Sequence, residues 1–260
     1  MRSIATTMLL ACGLLFGSAA RAEVVNVYTS ANFAPLMLGD GRGIYPDLVS
    51  HMNSLHLEGY TFSLRYLPRR RLQVKLEEGS LDGIVIGMMP EWLADPAQEK
   101  YLWTAPFATD RFVLVSLDSR PPTSRPLAPL VPRTAPTQCK PGAFAGASVG
   151  VTTGYVYPGL DDWFASAHLQ RRDGASDEKN IEKLLLERVD CVIVAESMAR
   201  YFMRTHKLNA RLRIVPMPGP GTERRFLVQH RDARLYEVLA PAVRRLRGDA
   251  AWRRASVAYE

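Results

Sequence analysis

Two apolar runs constrain this chain more than anything else in it: Gly83-Ile84-Val85-Ile86-Gly87-Met88 and Cys191-Val192-Ile193-Val194-Ala195. Neither has a polar face, so each reads as a strand covered on both sides, as in a parallel sheet between layers of helix. Each follows the same lead-in. Leu76-Glu77-Glu78-Gly79-Ser80-Leu81-Asp82 precedes the first, and Leu185-Leu186-Glu187-Arg188-Val189-Asp190 precedes the second. A helix end, a short turn carrying an aspartate and a buried strand occur twice. That repetition predicts an α/β chain of two lobes with similar architecture.

The flanking stretches agree. Residues 23–29 alternate valines and predict a strand. A helix is expected over 46–57. Pro46 suits a first turn, Asp47 suits the positive end of the helix dipole, and Leu48, Val49, Met52 and Leu55 share a face. Residues 61–67 alternate as a second strand, and 69–78 form a second helix with Gly79 where a capping glycine belongs. Proline is then dense over 120–141, which predicts an extended crossing segment. A second set follows: a strand over 147–151, the turn Thr152-Thr153-Gly154-Tyr155, a short helix over 160–167, an amphipathic helix over 180–188, a strand over 189–195 and a helix over 196–206. Residues 233–258 read as helical and basic.

The first residues read as an export signal. Arg2 is followed by an apolar run from Met8 to Phe16 and by Ala20-Arg21-Ala22, an A-x-A cleavage site. The run is too short to span a bilayer. Cleavage after Ala22 removes residues 1–22 and starts the exported protein at Glu23, placing it in the periplasm. The loss of Arg2 and Arg21 from 33 basic residues leaves 31 against 26 acidic ones, a net charge of +5. Acids are interleaved with these basic residues, and Arg69-Arg70-Arg71 lacks the aromatic partners of a nucleic-acid site, so no nucleic-acid partner is expected. An anionic group on a ligand is the sharper reading of the basic balance. Cys139 and Cys191 are either a disulfide, which an oxidising compartment allows, or two buried thiols. The five histidines lack ligand spacing and no serine or cysteine sits in a nucleophile motif. No metal, cofactor or catalytic residue is therefore expected.

The order of these pieces resembles the bacterial extracellular solute-binding proteins of family 3, over nearly the whole exported chain. Asn32-Phe33-Ala34-Pro35 is similar to that family's aromatic-proline ligand loop. Gly43-Ile44-Tyr45-Pro46-Asp47-Leu48 is similar to the start of its first helix. Gly79-Ser80-Leu81-Asp82 with Gly87-Met88-Met89-Pro90-Glu91 resembles its "G-x-x-D…G-M…P-E-R" segment. Tyr101 to Phe107 resembles "F-S-x-P-Y", and Gly150-Val151-Thr152-Thr153-Gly154 resembles "G-V-x-x-G-T". The resemblance implies the type 2 periplasmic binding protein fold: two lobes, each a mainly parallel sheet flanked by helices, with the ligand in the cleft between them. Lobe 1 would comprise 23–116 and 212–260, and lobe 2 would comprise 117–211. The implied function is capture of a small polar or amino-acid-like solute by a monomer, for delivery to an ABC permease of the inner membrane.

The resemblance also proposes a ligand set: Phe33, Arg71, Met88, Trp92, Trp103, Thr152, Thr153, Tyr155 and Glu196. Phe33, Trp92 and Trp103 would wall the cleft. The turn at Thr152, Thr153 and Tyr155 would offer hydroxyls and backbone N–H groups to an anion. The sequence departs from the family in two places. Trp92 stands where amino-acid binders carry the arginine that clamps the ligand carboxylate, and Glu196 stands where they carry the aspartate that pairs with the ammonium. Arg71 is the expected replacement clamp, since a guanidinium grips a carboxylate bidentately. Two other readings remain open at this point. One is an enzyme like the cyclohexadienyl dehydratases, which resemble the family, with Glu196 as the proton donor. The other is a sensor partner that delivers its ligand to a receptor.

Overall fold

A computed structural model describes residues 22–118, 147–157, 169–217 and 221–259. In chain order its elements are β1 (Glu23–Thr29), α1 (Ile44–Ser54), β2 (Tyr60–Tyr66), α2 (Arg69–Glu77), β3 (Gly83–Met88), β4 (Leu102–Trp103), β5 (Ala108–Asp110), β6 (Phe112–Leu117), β7 (Ser148–Thr152), β8 (Gln170–Gly174), α3 (Asp177–Leu185), β9 (Cys191–Ala195), α4 (Glu196–Thr205), β10 (Leu212–Pro216), β11 (Thr222–Val228), α5 (Ala233–Arg245) and α6 (Ala250–Ser256).

They build two sheets. The first has the order β2-β1-β3-β11-β4, with β5 also on β11; the second has the order β10-β6-β9-β7-β8. In each, three strands run parallel in the order second-first-third, β2-β1-β3 and β8-β7-β9. A fourth strand, β11 or β6, then joins antiparallel. The recurring aspartates have a common use. Asp82 accepts from Asn26 Nδ2 at 3.1 Å and Tyr28 Oη at 2.7 Å, tying the start of β3 to β1. Asp190 accepts from the backbone N–H of Ser148 at 2.8 Å and its hydroxyl at 2.7 Å, tying β9 to β7. The two apolar runs are the buried interiors of these sheets: Ile84, Val85 and Ile86 in one, Val192, Ile193 and Val194 in the other. Helices cover them through apolar stripes such as Leu48, Val49 and Met52 of α1 and Ile181 and Leu184 of α3.

Local chemistry sets the element ends. The backbone N–H groups of Gly79 and Ser80 donate back to Leu76 and Lys75 at 3.1 and 2.9 Å, and Gly79 takes φ +65°, closing α2 where the sequence places the cap. Helix α3 begins at Asp177, three residues before the expected start, because the Ser176 hydroxyl accepts from the Lys179 N–H at 3.2 Å. Helix α1 spans Ile44–Ser54, so it both starts and stops earlier than predicted.

The second sheet takes in strands next to both expected lobe boundaries, 116/117 and 211/212. β6 pairs with β9 over Phe112–Ser116 and with β10 over Val113–Leu117, where Val115 faces Ile214 in the antiparallel register. Residues 112–117 and 212–216 thus spend their backbone hydrogen bonds in the second sheet. The chain passes between sheets at Arg111, from β5 to β6, and again from β10 to β11, which pairs with β5. The proposed export signal, the proline-dense segment, the helix over 160–167 and Cys139 lie outside the described residues. Cys191 is disulfide-bonded. Among the described residues no helix is long and apolar enough to cross a membrane.

Candidate functional site

The two sheets meet at a cleft whose floor is formed by strand ends. From the first sheet come Thr29, Ser30 and Ala31 after β1, Ile86 and Gly87 of β3, and Arg224 of β11; Phe33, Arg69 and Trp92 complete that side. The opposite side consists of Phe112 on β6, Tyr155 and Val156 after β7, Asp177 at the start of α3 and Ala195 at the end of β9. Most of these residues sit at or just past the carboxyl ends of parallel strands. That is where open α/β sheets leave a crevice.

Three charged side chains face this space. Arg224 is 7 % exposed. It reaches Asp110 at 3.6 Å and donates to the Tyr45 hydroxyl at 3.3 Å. Burial opposes its charge, but Tyr45 and Asp110 outweigh that and hold the guanidinium above its ordinary value. Arg69 has weaker company. It donates to the Trp92 carbonyl at 3.3 Å, sits against Met88 Sδ at 3.0 Å and lies 5.4 Å over the Trp92 ring. Burial pulls its guanidinium below the usual value. Arg69 Nε and Trp92 Nε1 are both buried and have no hydrogen-bond partner among the described residues. Asp177 accepts the Thr152 hydroxyl proton. It is 3 % exposed, and burial pushes its carboxyl up to about 6 against the pull of Thr152 and Arg224.

Tyr45 stands behind the cleft because of Gly87. That residue has φ +79°, and a Cβ there would lie 1.8 Å from the Tyr45 hydroxyl oxygen. The β3–β11 register shifts between Arg225 and Phe226, opposite Gly87, so the glycine bulges and leaves room for Tyr45 to meet Arg224.

Of the residues expected at the site, Phe33, Trp92 and Tyr155 line the cleft. The others lie elsewhere. Arg71 is exposed, and Arg69 lines the cleft in its place. Leu72 and Leu76 fix the buried face of α2, and Arg69 lies one turn before Leu72 on that face, whereas Arg71 lies about 100° round the helix. Met88 and Trp103 belong to the core of the first lobe, where the Trp103 indole N–H donates to Asp95 at 2.8 Å. Thr152 and Thr153 bond inwards, to Asp177 and to the Gly174 carbonyl at 3.0 Å. Glu196 pairs with Arg111 and with Arg200, whose Nε lies 2.7 Å away; the Arg111 bond foremost holds its carboxyl below the usual range. A carboxylate held ionised by two arginines is a poor proton donor, so the dehydratase reading loses its named acid.

Sequence reasoning missed Arg69, Asp177 and Arg224. The Arg69/Leu72/Leu76 spacing and the Ser176 cap were readable signals for the first two. Arg224 sits in β11, whose run Thr-Glu-Arg-Arg-Phe-Leu-Val is charged for half its length and was not read as a strand.

No protein-family model and no curated protein sequence matches the chain. Solved structures do. An ancestral arginine-binding protein bound to arginine superposes with TM-score 0.69 at 16% identity, covering 91% of this chain and 97% of that one. The substrate-binding protein of an amino acid ABC transporter gives 0.65 at 16% identity, over 91% and 99%. An ancestral amino-acid-binding protein described as a precursor of cyclohexadienyl dehydratase gives 0.66 at 13% identity, over 91% and 95%. The fold is that of the two-lobed solute-binding proteins. Within this solute-binding fold the cleft carries two arginines from the first lobe and one aspartate from the second. It therefore offers donors to an anion on one wall and an acceptor to a cation on the other.

Proposed function

We propose that the chain is a periplasmic solute-binding protein that captures a small, amino-acid-like solute between its lobes and delivers it to an ABC permease. The observation that carries this reading is the cleft itself. Arg69 and Trp92 present buried donors without acceptors, and Asp177 faces them across the gap. An anionic group on the solute satisfies the donors, and an ammonium suits Asp177; a buried N–H left without an acceptor is costly. The chain passes between the sheets twice, from β5 to β6 and from β10 to β11, which supports closure by a hinge. The export signal read over residues 1–22 and the neighbours of the same fold support the compartment and the transport role. Function as a monomer and cleavage before Glu23 belong to the same proposal.

The test is a thermal-shift screen of the protein purified from the periplasmic fraction, against amino acids, amines, organic acids and sugars. At least one carboxylate-bearing solute is expected to raise the melting temperature. A protein that stays in the cytoplasm, or that responds to no solute while turning over prephenate or arogenate, contradicts the reading.

A further inference from the structure

The charges and walls of the cleft narrow the solute further, an inference that rests on the solute-binding reading above. Charge comes first. Arg224 already has Asp110 at 3.6 Å and the Tyr45 hydroxyl at 3.3 Å. Arg69 is the guanidinium without a carboxylate beside it, and its Nε shares its lack of an acceptor with Trp92 Nε1. The cleft therefore has one set of donors for one oxyanion. On the other side, Asp177 is the carboxylate among the lining residues, and one of its oxygens is committed to Thr152. A solute with an ammonium and a second cation would place that second charge beside two guanidiniums with no acceptor left for it. A solute with a second carboxylate would have to displace Asp110 from Arg224.

Apart from Thr29, Ser30 and the Tyr155 hydroxyl, the rest of the lining is apolar. Each lobe supplies two aromatic rings, Phe33 and Trp92 from the first, Phe112 and Tyr155 from the second, with Ile86 and Val156 beside them. A polar side chain such as an amide would lose its water against these walls and gain few partners. We propose that the solute is a monocarboxylate with an apolar body, aromatic or branched aliphatic, whose carboxylate accepts from Arg69 Nε and Trp92 Nε1. This lining disfavours arginine, glutamine and glutamate, although proteins of the same fold bind arginine. Amino acids and their amino-free acids share the required chemistry, and the comparison between them reports whether an ammonium at Asp177 adds to binding.

Calorimetric titration decides it. The probes are L-phenylalanine, L-leucine, phenylacetate and 4-methylpentanoate on one side, and L-arginine, L-glutamine and L-glutamate on the other. At least one of the first four is expected to bind ten-fold or more tightly than any of the last three. Trp92→Phe keeps the ring and removes the N–H, and should weaken that probe about 10-fold, the scale of one hydrogen bond to a charged group. Tighter binding of a polar probe overturns the inference and leaves solute binding standing. Equal affinity of wild type and Trp92→Phe overturns the assigned donor. Silence from all seven probes overturns the inference too, and the wider screen then judges solute binding by itself.

Discussion

At the scale of single residues, the site holds two groups whose charged form burial disfavours. Asp177 has its carboxyl raised to about 6 from an ordinary 3.8, chiefly by burial. The folded state thus holds this proton up to about pH 6, while the unfolded state loses it near pH 4. Between those values the folded state binds more protons, so stability falls as pH rises, and above about pH 6 the full penalty of roughly 3 kcal/mol is present. Asp177→Asn should therefore stabilise the solute-free protein at pH 8 and flatten its stability between pH 4 and 6. Denaturant unfolding across that range measures both; an unchanged or lower stability at pH 8 would show that Asp177 is not penalised. Arg69 is the second such group. Arg69→Ala should weaken a carboxylate solute by about 30-fold or more, the usual cost of orphaning a buried charge, while Arg71→Ala should leave affinity within about 2-fold. Binding isotherms of the two variants check the pair, and equal losses would reject the assignment. The sequence pointed to α2, and on that helix Arg69 rather than Arg71 lines the cleft. The family-like position of Arg71 outweighed the plainer signal that Arg69 shares a face with Leu72 and Leu76.

At the scale of elements, the strands that carried apolar runs or clean alternation were legible, β1, β2, β3, β7 and β9 among them. So were the helices that cover them. The strands that were not legible are β4, β5, β6, β8, β10 and β11, and β5, β6, β10 and β11 flank the two passages between the sheets. β11 interleaves Glu223, Arg224 and Arg225 with its apolar end, because it runs through the cleft and not only through a core. A strand that serves a site loses the hydrophobic pattern by which strands are found. The bulge at Gly87 shows how tightly one such element is fitted. Gly87→Ala would set a methyl against the Tyr45 hydroxyl at φ +79°. It should cost about 1–3 kcal/mol and, by displacing the partner of Arg224, weaken solute binding as well. Unfolding and binding measured on the same variant test this. Loss of neither would mean that β3 and Tyr45 can rearrange freely.

At the scale of the whole molecule, the two lobes share one plan, parallel strands in the order second-first-third plus an antiparallel fourth, and exchange their fourth strands across the crossing segments. Asp110 links the parts. It holds Arg224 on the first lobe and accepts from the Ser197 hydroxyl at 2.6 Å and its backbone N–H at 3.3 Å on the second. In the proposed binding mode, a solute held by Arg69 on one side and by Asp177 on the other would draw the lobes together over this joint. Hydrogen–deuterium exchange with and without the tightest solute tests that claim most directly. Saturation should slow exchange in peptides from both lobes: those covering residues 29–33 and 86–92 in the first, and those covering 155–156, 177 and 195 in the second. Protection confined to one lobe, or appearing away from these segments, would contradict a solute held between the two.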